Sequence, residues 1–521
     1  MIPFHLPSPL LIAAAITTII TIRFLVKYFI KPFYLLQRYK KYKGVLCLYK
    51  PLGGTLLEIK DGEAKYGDSA YYLKKRIKDH PSTRFIAMPL LDRMTIVLFD
   101  SDLIKQFLAK ETMMTVKYLG LSGGIMSEFL KNGLVFTEGE HWKRQRKLIS
   151  QVFHFDYMNN SLPTIRATAK EWIEKNCNSS SSSSSPCTVN VSKELKLFTS
   201  TVIWRIFFGE DSFDENKTGA PTVLRVLENL RVSTQLTLSV LNLLFGGRFF
   251  KLGLREIDRR FMRERKLIKE LFYNKLSHLR EKINKKSDDD TSADGSKPKF
   301  KNLIELLLEQ SEGLSDLEIV SQIFTFFFAG TDTTSELLAI SHYLLATNPE
   351  VQTKLREEVL AHIRKTEDIM YEHITQMEYL NAVIKEALRV GGPVLNIIFR
   401  EATQDFMLND IEIKKGMLVT ASVAGVAHNP KYFSNPEKFR PERWIEKQDP
   451  GTIDTSIYLP FSAGARRCIG EQLVLIEYKV MLCELVRRFK IELKLPFKLT
   501  MGIGVVYRAK PDIHVIYTPI S

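Results

Sequence analysis

One cysteine stands where a glycine-containing turn meets an apolar helical pattern. Cys468 lies in residues 461–470, Phe-Ser-Ala-Gly-Ala-Arg-Arg-Cys-Ile-Gly. The positive end of a helix macrodipole stabilises a thiolate, and Arg466 and Arg467 precede the cysteine directly. Glycines on both sides indicate that the backbone comes close to another group here. The segment therefore predicts a stabilised thiolate near a bound group, and a buried cysteine beside a turn is the alternative.

Polar residues also interrupt three helical patterns elsewhere. Glu386 and Arg389 are three residues apart and share a helix face, where a solvated ion pair is the simplest interpretation. Residues 328–334, Phe-Ala-Gly-Thr-Asp-Thr-Thr, place threonines around a glycine; their hydroxyls compete for helical carbonyls, so a kink or a helix end is the plain expectation. Trp142 and Arg146 are four apart and lie on one side of a helix.

The spacing Phe-x-x-Gly-x-Arg-x-Cys-x-Gly resembles the haem-ligand loop of the cytochrome P450 family at every position. Three further segments match the same family in the expected order: the one with Glu386 and Arg389, residues 439–444 and residues 328–334. The Trp142–Arg146 spacing matches the family's Trp-x-x-x-Arg helix, and the resemblance covers roughly residue 133 to the C-terminus. It implies that Cys468 is the thiolate ligand of the iron in haem b. It also implies that Asp332 and Thr333 relay protons to bound dioxygen.

Further site residues follow from the same resemblance. The segment 439–444, Phe-Arg-Pro-Glu-Arg-Trp, resembles the loop that adds a second arginine to the Glu-x-x-Arg pair, so Glu386, Arg389 and Arg443 are expected to form a buried structural triad. The cofactor-binding set that the resemblance implies, besides the cysteine, is Phe461, Arg466, Trp142, Arg146 and Arg400. Arginine suits the binding of haem propionates because its planar fork bonds a carboxylate in bidentate fashion.

The function implied is that of a haem-thiolate monooxygenase, which inserts one oxygen atom from O2 into an apolar organic substrate. Electrons are expected from NADPH through a separate flavoprotein reductase, with cytochrome b5 as a second possible donor, because the chain has no Gly-rich dinucleotide fingerprint. The alternatives are a haem-thiolate isomerase or lyase that acts on hydroperoxides without a reductase, and a non-catalytic haem sensor. The presence of Asp332 and Thr333, an acid followed by an alcohol, counts against the isomerase or lyase.

Composition narrows the class of protein. The chain has 521 residues, 45% of them hydrophobic, which excludes disordered and fibrous proteins. Five cysteines without a CxxC pair, and no two of the ten histidines at helical spacing, argue against a disulfide framework and a zinc cage. The net charge of +15 indicates an anionic neighbour, for which nucleic acid, anionic lipid and an acidic protein are the alternatives, although nucleic-acid binding explains no motif. Membrane lipid is among the expected partners.

The N-terminal segment predicts a membrane anchor. Residues 6–22 carry no charge, and basic residues cluster behind them, which favours a single-pass helix with the remaining chain in the cytosol. A cleaved signal peptide and a mitochondrial targeting segment are the alternatives. We expect residues 1–30 to be a signal-anchor transmembrane helix, 31–57 a basic linker and 58–521 the haem-thiolate catalytic domain, located at the endoplasmic reticulum.

The elements that must position these residues are mostly helices. Ile469, Leu473, Ile476, Val480 and Cys483 recur at steps of three and four, which predicts a helix directly behind the cysteine. Strand-like runs occur only at 406–413, at 417–422 and between 491 and 516. The expected fold class is mainly α with a minor β component: a cytochrome P450 fold with a single large haem domain behind an N-terminal transmembrane helix.

Overall fold

Helices make up most of the chain that the structure describes, and small β-sheets lie beside them. The structure is a computed structural model, and it describes residues 9–51, 54–90, 93–118, 130–153, 160–177, 185–209, 249–289, 303–309, 314–364, 368–454, 456–504 and 506–520. This proportion of helix and strand agrees with the predicted class. Its α-helices are α1 Pro9–Leu25, α2 Lys31–Tyr39, α3 Gly54–Tyr66, α4 Tyr71–Asp79, α5 Ser101–Met114, α6 Gly139–Val152, α7 Leu162–Cys177, α8 Val191–Phe208, α9 Glu256–Asp289, α10 Leu303–Glu309, α11 Asp316–Thr347, α12 Pro349–His362, α13 Tyr371–Gln376, α14 Glu378–Gly391, α15 Val423–Ala427, α16 Arg443–Glu446, α17 Pro450–Ile453 and α18 Glu471–Val486.

The largest sheet has six strands in the order β1-β2-β3-β9-β6-β4. A second sheet has the order β10-β13-β5, and β7-β8 and β11-β12 form two hairpins. The strands are β1 Val45–Cys47, β2 Phe85–Leu90, β3 Arg93–Leu98, β4 Thr115–Lys117, β5 Cys187–Asn190, β6 Arg400–Ala402, β7 Phe406–Leu408, β8 Ile411–Ile413, β9 Leu418–Ala421, β10 Phe489–Leu493, β11 Thr500–Ile503, β12 Tyr507–Lys510 and β13 His514–Pro519. The expectation that strands occur only late in the chain is wrong, because β2 and β3 are early and are the longest strands of the main sheet.

The centre of the core is the long helix α11, which packs along α8. Its first turn is fixed by a capping box, in which the Ser315 side chain accepts from the Glu318 backbone N–H and the Glu318 carboxylate accepts from the Ser315 N–H at 2.9 Å. The same carboxylate accepts from His141 at 2.6 Å and from Gln145 at 3.1 Å. Glu318 therefore holds α6 against the start of α11.

The N-terminal region departs from the expected linker. In the described part of the chain, one helical stretch, Leu11–Tyr39, is long and apolar enough to cross a membrane. A short π-helical segment, Val26–Ile30, joins α1 to α2 within it. Residues 31–57 are not a plain linker: Leu36 and Tyr39 of α2 are buried, and the Tyr39 hydroxyl donates to the Glu412 carbonyl at 2.6 Å. Strand β1 then pairs in parallel with β2, and its three residues thereby extend the main sheet by one strand.

Truncation should separate the anchor from the core. Removal of residues 1–28 should leave the free energy of unfolding unchanged, since none of the α1 residues whose exposure is described, 11–25, is buried. Removal of residues 1–39 should lower it by roughly 1.5–3 kcal/mol for each of Leu36 and Tyr39, because both buried side chains are lost. Denaturant unfolding followed by circular dichroism measures both forms. Equal stability of the two truncated proteins would show that α2 is only a tether.

Candidate active site

The turn of the cysteine loop depends on two residues in the left-handed backbone region. Ser462 has φ 59° and Gly464 has φ 70°, and a Cβ on Gly464 would lie 3.2 Å from the Leu108 carbonyl oxygen. The Cys468 N–H donates to the Phe461 carbonyl at 2.9 Å, which closes the loop before α18 begins at Glu471. Cys468 and Phe461 therefore both line a large cavity beneath α11.

The electrostatics of Cys468 differ from the expectation. The side chain is open to the cavity but lies deep in the protein, and this burial raises the pKa of its thiol, while the Gly470 N–H lowers it in part. The two arginines contribute less than expected because Arg467 forms a bidentate pair with Glu471 at 2.7 and 2.8 Å and Arg466 pairs with Glu138. The protein alone therefore does not make this thiol unusually acidic. A bound cation is required for that.

The middle of α11 forms the opposite wall. Thr333 lines the cavity, and its hydroxyl donates to the Ala329 carbonyl at 2.6 Å, the i−4 bond that the threonine-rich pattern indicated. Gly330 lies directly against α8: a Cβ there would come within 2.8 Å of the Ile203 side chain. The glycine therefore allows α8 and α11 to approach at the level of the cavity.

Asp332 is turned away from this wall. It is buried, it is absent from the cavity lining, and its carboxylate pairs with Lys196 of α8 at 2.6 Å. The structure thus brings Thr333, but not Asp332, to the cavity itself. The acid and the alcohol are adjacent in sequence but face different surroundings.

The three arginines predicted to bind the propionates, and Trp142 beside them, meet at one edge of the cavity. Trp142 and Arg146 come from α6, Arg400 from β6 and Arg466 from the cysteine loop, and all four line it. The Arg466 guanidinium lies 3.8 Å from the centroid of the Trp142 ring, and burial lowers the Arg466 pKa to about 10. Arg400 is buried and donates to Thr115 Oγ1 at 2.7 Å.

Sequence reasoning missed three residues of this edge, Lys117, Glu138 and Glu111. Lys117 lies opposite Arg400 in the β4-β6 register and lines the cavity; burial, together with the nearby Arg466 charge, lowers its pKa to about 7. Glu138 accepts from Arg400 at 3.2 Å, from Arg466 and from the Lys117 N–H at 2.9 Å. Burial raises the Glu111 pKa. No local motif marks them, because Lys117 reaches this edge through strand pairing, and Glu111 and Glu138 reach it from α5 and from the start of α6.

Glu386 is the centre of the predicted triad. Its carboxylate accepts from Arg389 at 2.8 and 2.9 Å, from Arg443 Nε at 3.0 Å and from Trp444 Nε1 at 2.9 Å. The side chains of all three charged residues are fully buried. Arg389 also donates to the Ala427 and Pro436 carbonyls, both at 2.8 Å, so the triad fastens α14 to the chain that leads to the cysteine loop.

A second buried acid went unnoticed in the sequence. Glu477 of α18 lines the cavity and is 1% exposed, and neither of its carboxylate oxygens has a hydrogen-bond partner among the described residues. Burial raises its pKa well above the usual value for glutamate. Its place on the buried side of the helix behind Cys468 was readable from the apolar periodicity, but its lack of a partner was not.

Comparison with known proteins agrees with this geometry. The family model described as Cytochrome P450 matches residues 50–514. The chain belongs to the cytochrome P450 family. Relatives include Cytochrome P450 3A18 of Rattus norvegicus, 27% identical over 85% of each chain, and Cytochrome P450 3A5 of Homo sapiens, 29% identical over 87% of each. Lithocholate 6-beta-hydroxylase of Mesocricetus auratus is 28% identical over 85% of this chain and 84% of its own. The chain is thus a haem monooxygenase of the P450 type.

Cytochromes P450 bind haem b, and the cavity edge fits its propionates. Three guanidinium groups, of Arg146, Arg400 and Arg466, line an edge where Glu138 supplies one opposing carboxylate. That excess of positive charge matches two propionate carboxylates. The Arg466 Nε is buried and without a hydrogen-bond partner among the described residues, as expected for a donor that an anionic group would satisfy.

Replacement of Glu386 by glutamine should lower the free energy of unfolding by about 3–5 kcal/mol, because the buried Arg389 guanidinium loses its counter-charge and Arg443 keeps only that of Asp449. The matched control is Glu256→Gln in α9, which removes the carboxylate of an exposed i,i+3 pair with Arg259. That variant should cost less than about 1 kcal/mol. Denaturant unfolding and the haem content of the purified proteins provide the comparison, and similar losses in the two variants would contradict a structural role for the triad.

Glu477→Gln should make stability less sensitive to alkaline pH. In the wild type the folded state keeps the Glu477 proton while the unfolded chain releases it above a pKa of about 4.3, so unfolding is favoured increasingly as the pH rises. Glutamine has no proton to lose. The thermal midpoint of the variant should therefore exceed that of the wild type at pH 8, and the difference should shrink towards pH 5. A difference that does not depend on pH would show that Glu477 is ionised in the folded protein.

Proposed function

We propose that this cytochrome P450 is a membrane-anchored monooxygenase that oxidises an apolar substrate with electrons from a separate flavoprotein reductase. The observation that carries the proposal is the single cavity lined by Cys468 on one wall, Thr333 on the other and a cluster of arginines at its edge. The proposed domains are a signal anchor at residues 1–30 and a catalytic domain at 58–521. Residues 31–57 join them.

The roles of the site residues follow from their positions. Cys468 would ligate the iron, and Trp142, Arg146, Arg400 and Arg466 would hold the propionates, with Phe461 supporting the loop. The bound haem would supply oxygen activation, with electron density pushed onto the iron by the thiolate. Lys117 is a further propionate ligand in this proposal, because the anionic group would restore the charge that burial removes from it.

Proton delivery is assigned to Thr333 and Asp332. The Thr333 hydroxyl lies in the cavity wall, and its donated bond to Ala329 leaves its lone pairs free to accept from a water in the cavity. Asp332, held by Lys196, lies on the side of α11 that faces α8. The pair therefore connects the cavity to the packed interior beside it.

The substrate is proposed to be apolar because the cavity walls away from the arginines are hydrocarbon. They include Phe326, Leu337, Val394, Ile397 and Ile398. One relative is named for its action on lithocholate, as Lithocholate 6-beta-hydroxylase. Sterols, fatty acids and xenobiotics are all candidates for this chain.

The partners and location are proposed on chemical grounds. NADPH would reach the haem through a flavoprotein reductase, with cytochrome b5 as a second donor, because the chain has no dinucleotide fingerprint of its own. The apolar helix Leu11–Tyr39 and the basic residues at its inner end favour a single-pass anchor in the endoplasmic reticulum with the catalytic domain in the cytosol.

The decisive experiment is the absorption spectrum of the ferrous protein with carbon monoxide. The wild type should show the red-shifted Soret band of a thiolate-ligated haem. Cys468→His should lose that band and all monooxygenase activity, because neutral imidazole donates less electron density. Cys483→Ser, a buried cysteine outside the cavity lining, is the control and should keep the band. A wild type without the band would overturn the proposal.

Thr333→Ala should keep substrate binding but release more hydrogen peroxide per NADPH consumed, because the hydroxyl that would hold a water in the cavity for proton delivery is lost. The substrate is the sterol, fatty acid or xenobiotic that gives the largest change of iron spin state in a titration. Thr347→Ala is the matched control, since Thr347 makes the same i−4 bond at the far end of α11, at 2.8 Å. Product formed per NADPH should fall about tenfold or more in the first variant alone. Turnover without NADPH and reductase would instead identify an isomerase.

A further inference from the structure

Two cysteines meet where helix α7 ends and strand β5 begins. Cys177 is the last residue of α7, and Cys187 is the first residue of β5. Residues 178–186 lie between them in the chain, but α7 packs against β5 and brings the two ends together. Both thiols are free, and they lie within hydrogen-bonding reach of each other. The fold thus places side by side two thiols that belong to different elements.

The packing around the two thiols holds the end of α7 against β5. Cys187 lies opposite Tyr517 in the antiparallel register of β5 with β13. The Tyr517 ring meets the ring of Trp172, five residues before Cys177 on α7, edge to face with centroids 6.3 Å apart. Both rings are buried, and Trp172 Nε1 donates to the Glu194 carbonyl at 2.9 Å. These contacts fix the position of the two cysteines without any bond between them.

The two thiols differ in their access to solvent. Cys187 is half-buried, whereas Cys177 is 5% exposed. A dissolved reagent therefore reaches Cys187 more readily than Cys177. Burial, together with the neighbouring Cys187, raises the pKa of the Cys177 thiol, which keeps it protonated and slow to react with a dissolved reagent. The arrangement suits an accessible attacking thiol with a second, sheltered thiol beside it.

We infer that Cys177 and Cys187 are a reversible disulfide site, which reacts with a small-molecule disulfide such as oxidised glutathione. In the first step the Cys187 sulfur attacks the reagent, breaks its S–S bond and releases one small thiol. In the second step the Cys177 sulfur attacks the Cys187 sulfur and releases the other small thiol. In each step the attacking thiol loses a proton to solvent, and the leaving thiolate takes one up. Two protein thiols and one disulfide thus give one protein disulfide and two small thiols.

The scarcity of cysteines excludes a disulfide framework but is compatible with one reactive pair. A cytosolic glutathione pool keeps such a pair reduced, and the bond forms when the pool becomes oxidised. The bond would close residues 177–187 into a ring and join α7 to the sheet of β10, β13 and β5. A closed ring removes conformational freedom from the unfolded chain, so the oxidised protein should be the more stable form.

The test is equilibration of the purified haem-loaded protein in mixtures of reduced and oxidised glutathione, followed by acid quenching, alkylation and mass spectrometry. Trypsin releases residues 176–193 as one peptide, because Lys175 and Lys193 bound it; it contains both cysteines and no other. The disulfide form lacks two hydrogen atoms and takes up no alkylating reagent. The value of [GSH]²/[GSSG] at half-oxidation measures the effective concentration of the two thiols.

This effective concentration should be about tenfold or more higher in the folded protein than in the same chain in concentrated urea, because folding holds the thiols together. Equal values in the two states, or a wild-type peptide that carries glutathione on both cysteines, would overturn the inference. Cysteines that point apart or are too distant cannot be bridged without movement of the backbone, and they would give this result.

Single variants separate the roles of the two thiols. Cys177→Ala should leave Cys187 as a mixed disulfide with glutathione, whereas Cys187→Ala should leave the buried Cys177 unmodified. Cys47 is the matched control, since it is half-buried like Cys187 but its thiol donates to the Leu36 carbonyl at 3.9 Å. Its peptide should gain at most one glutathione. A disulfide between Cys47 and Cys187 would contradict the assigned pairing.

A thermal measurement gives a second readout. The midpoint of the oxidised wild type should exceed that of the reduced wild type by roughly 2–4 °C, and oxidised glutathione should not raise the midpoint of Cys187→Ala. An equal rise in both proteins would show that the effect does not come from this bond. Neither measurement requires turnover, so a disulfide in a protein without the thiolate Soret band would count against the monooxygenase proposal alone.

Discussion

The buried carboxylate of Glu386 is the constraint on which the position of the cysteine loop depends. An ionised carboxylate is tolerated in a dry interior only when its lone pairs are occupied, and here Arg389, Arg443 and Trp444 occupy them. The arginines in turn bind backbone carbonyls, including those of Ser434 and Pro436, in an irregular stretch that has few ladder hydrogen bonds of its own. These bonds fix a stretch of chain that has no regular structure, and they thereby fix the position of Cys468, which follows it.

The cofactor edge works by the opposite principle, incomplete compensation. Arg400 and Arg466 share the single carboxylate of Glu138, and burial lowers the pKa of Lys117 to about 7. A site in which the positive and negative charges already neutralised each other would bind an anionic ligand only weakly. This one retains an excess of positive charge in a partly desolvated place, where a dianion is bound strongly. Cys468 follows the same logic, since burial raises its pKa until a cation is present.

The sequence predicted the helices and the loop better than the sheet. The helix behind Cys468 and the long helix α11 have clear apolar patterns and a capping box, which are local signals. Strands β2 and β3 were missed because both faces are largely buried and their apolar runs lack alternation. Lys117 was missed for a related reason: its place beside Arg400 depends on pairing between strands far apart in the chain. Signals of that kind are not local.

The continuity of α1 with α2 has a mechanical consequence. A flexible tether would let the catalytic domain tumble above a bilayer, but here the helix enters the core directly, and Tyr39 fixes its end to Glu412. The orientation of the catalytic domain is therefore coupled to that of the anchoring helix. The tilt of this helix within the lipid would set how the whole domain is oriented relative to the bilayer, so that a change of bilayer thickness would change which surfaces of the domain face the membrane. Encounters with other membrane-bound proteins would then take place in a plane, at a fixed height and with a restricted set of orientations.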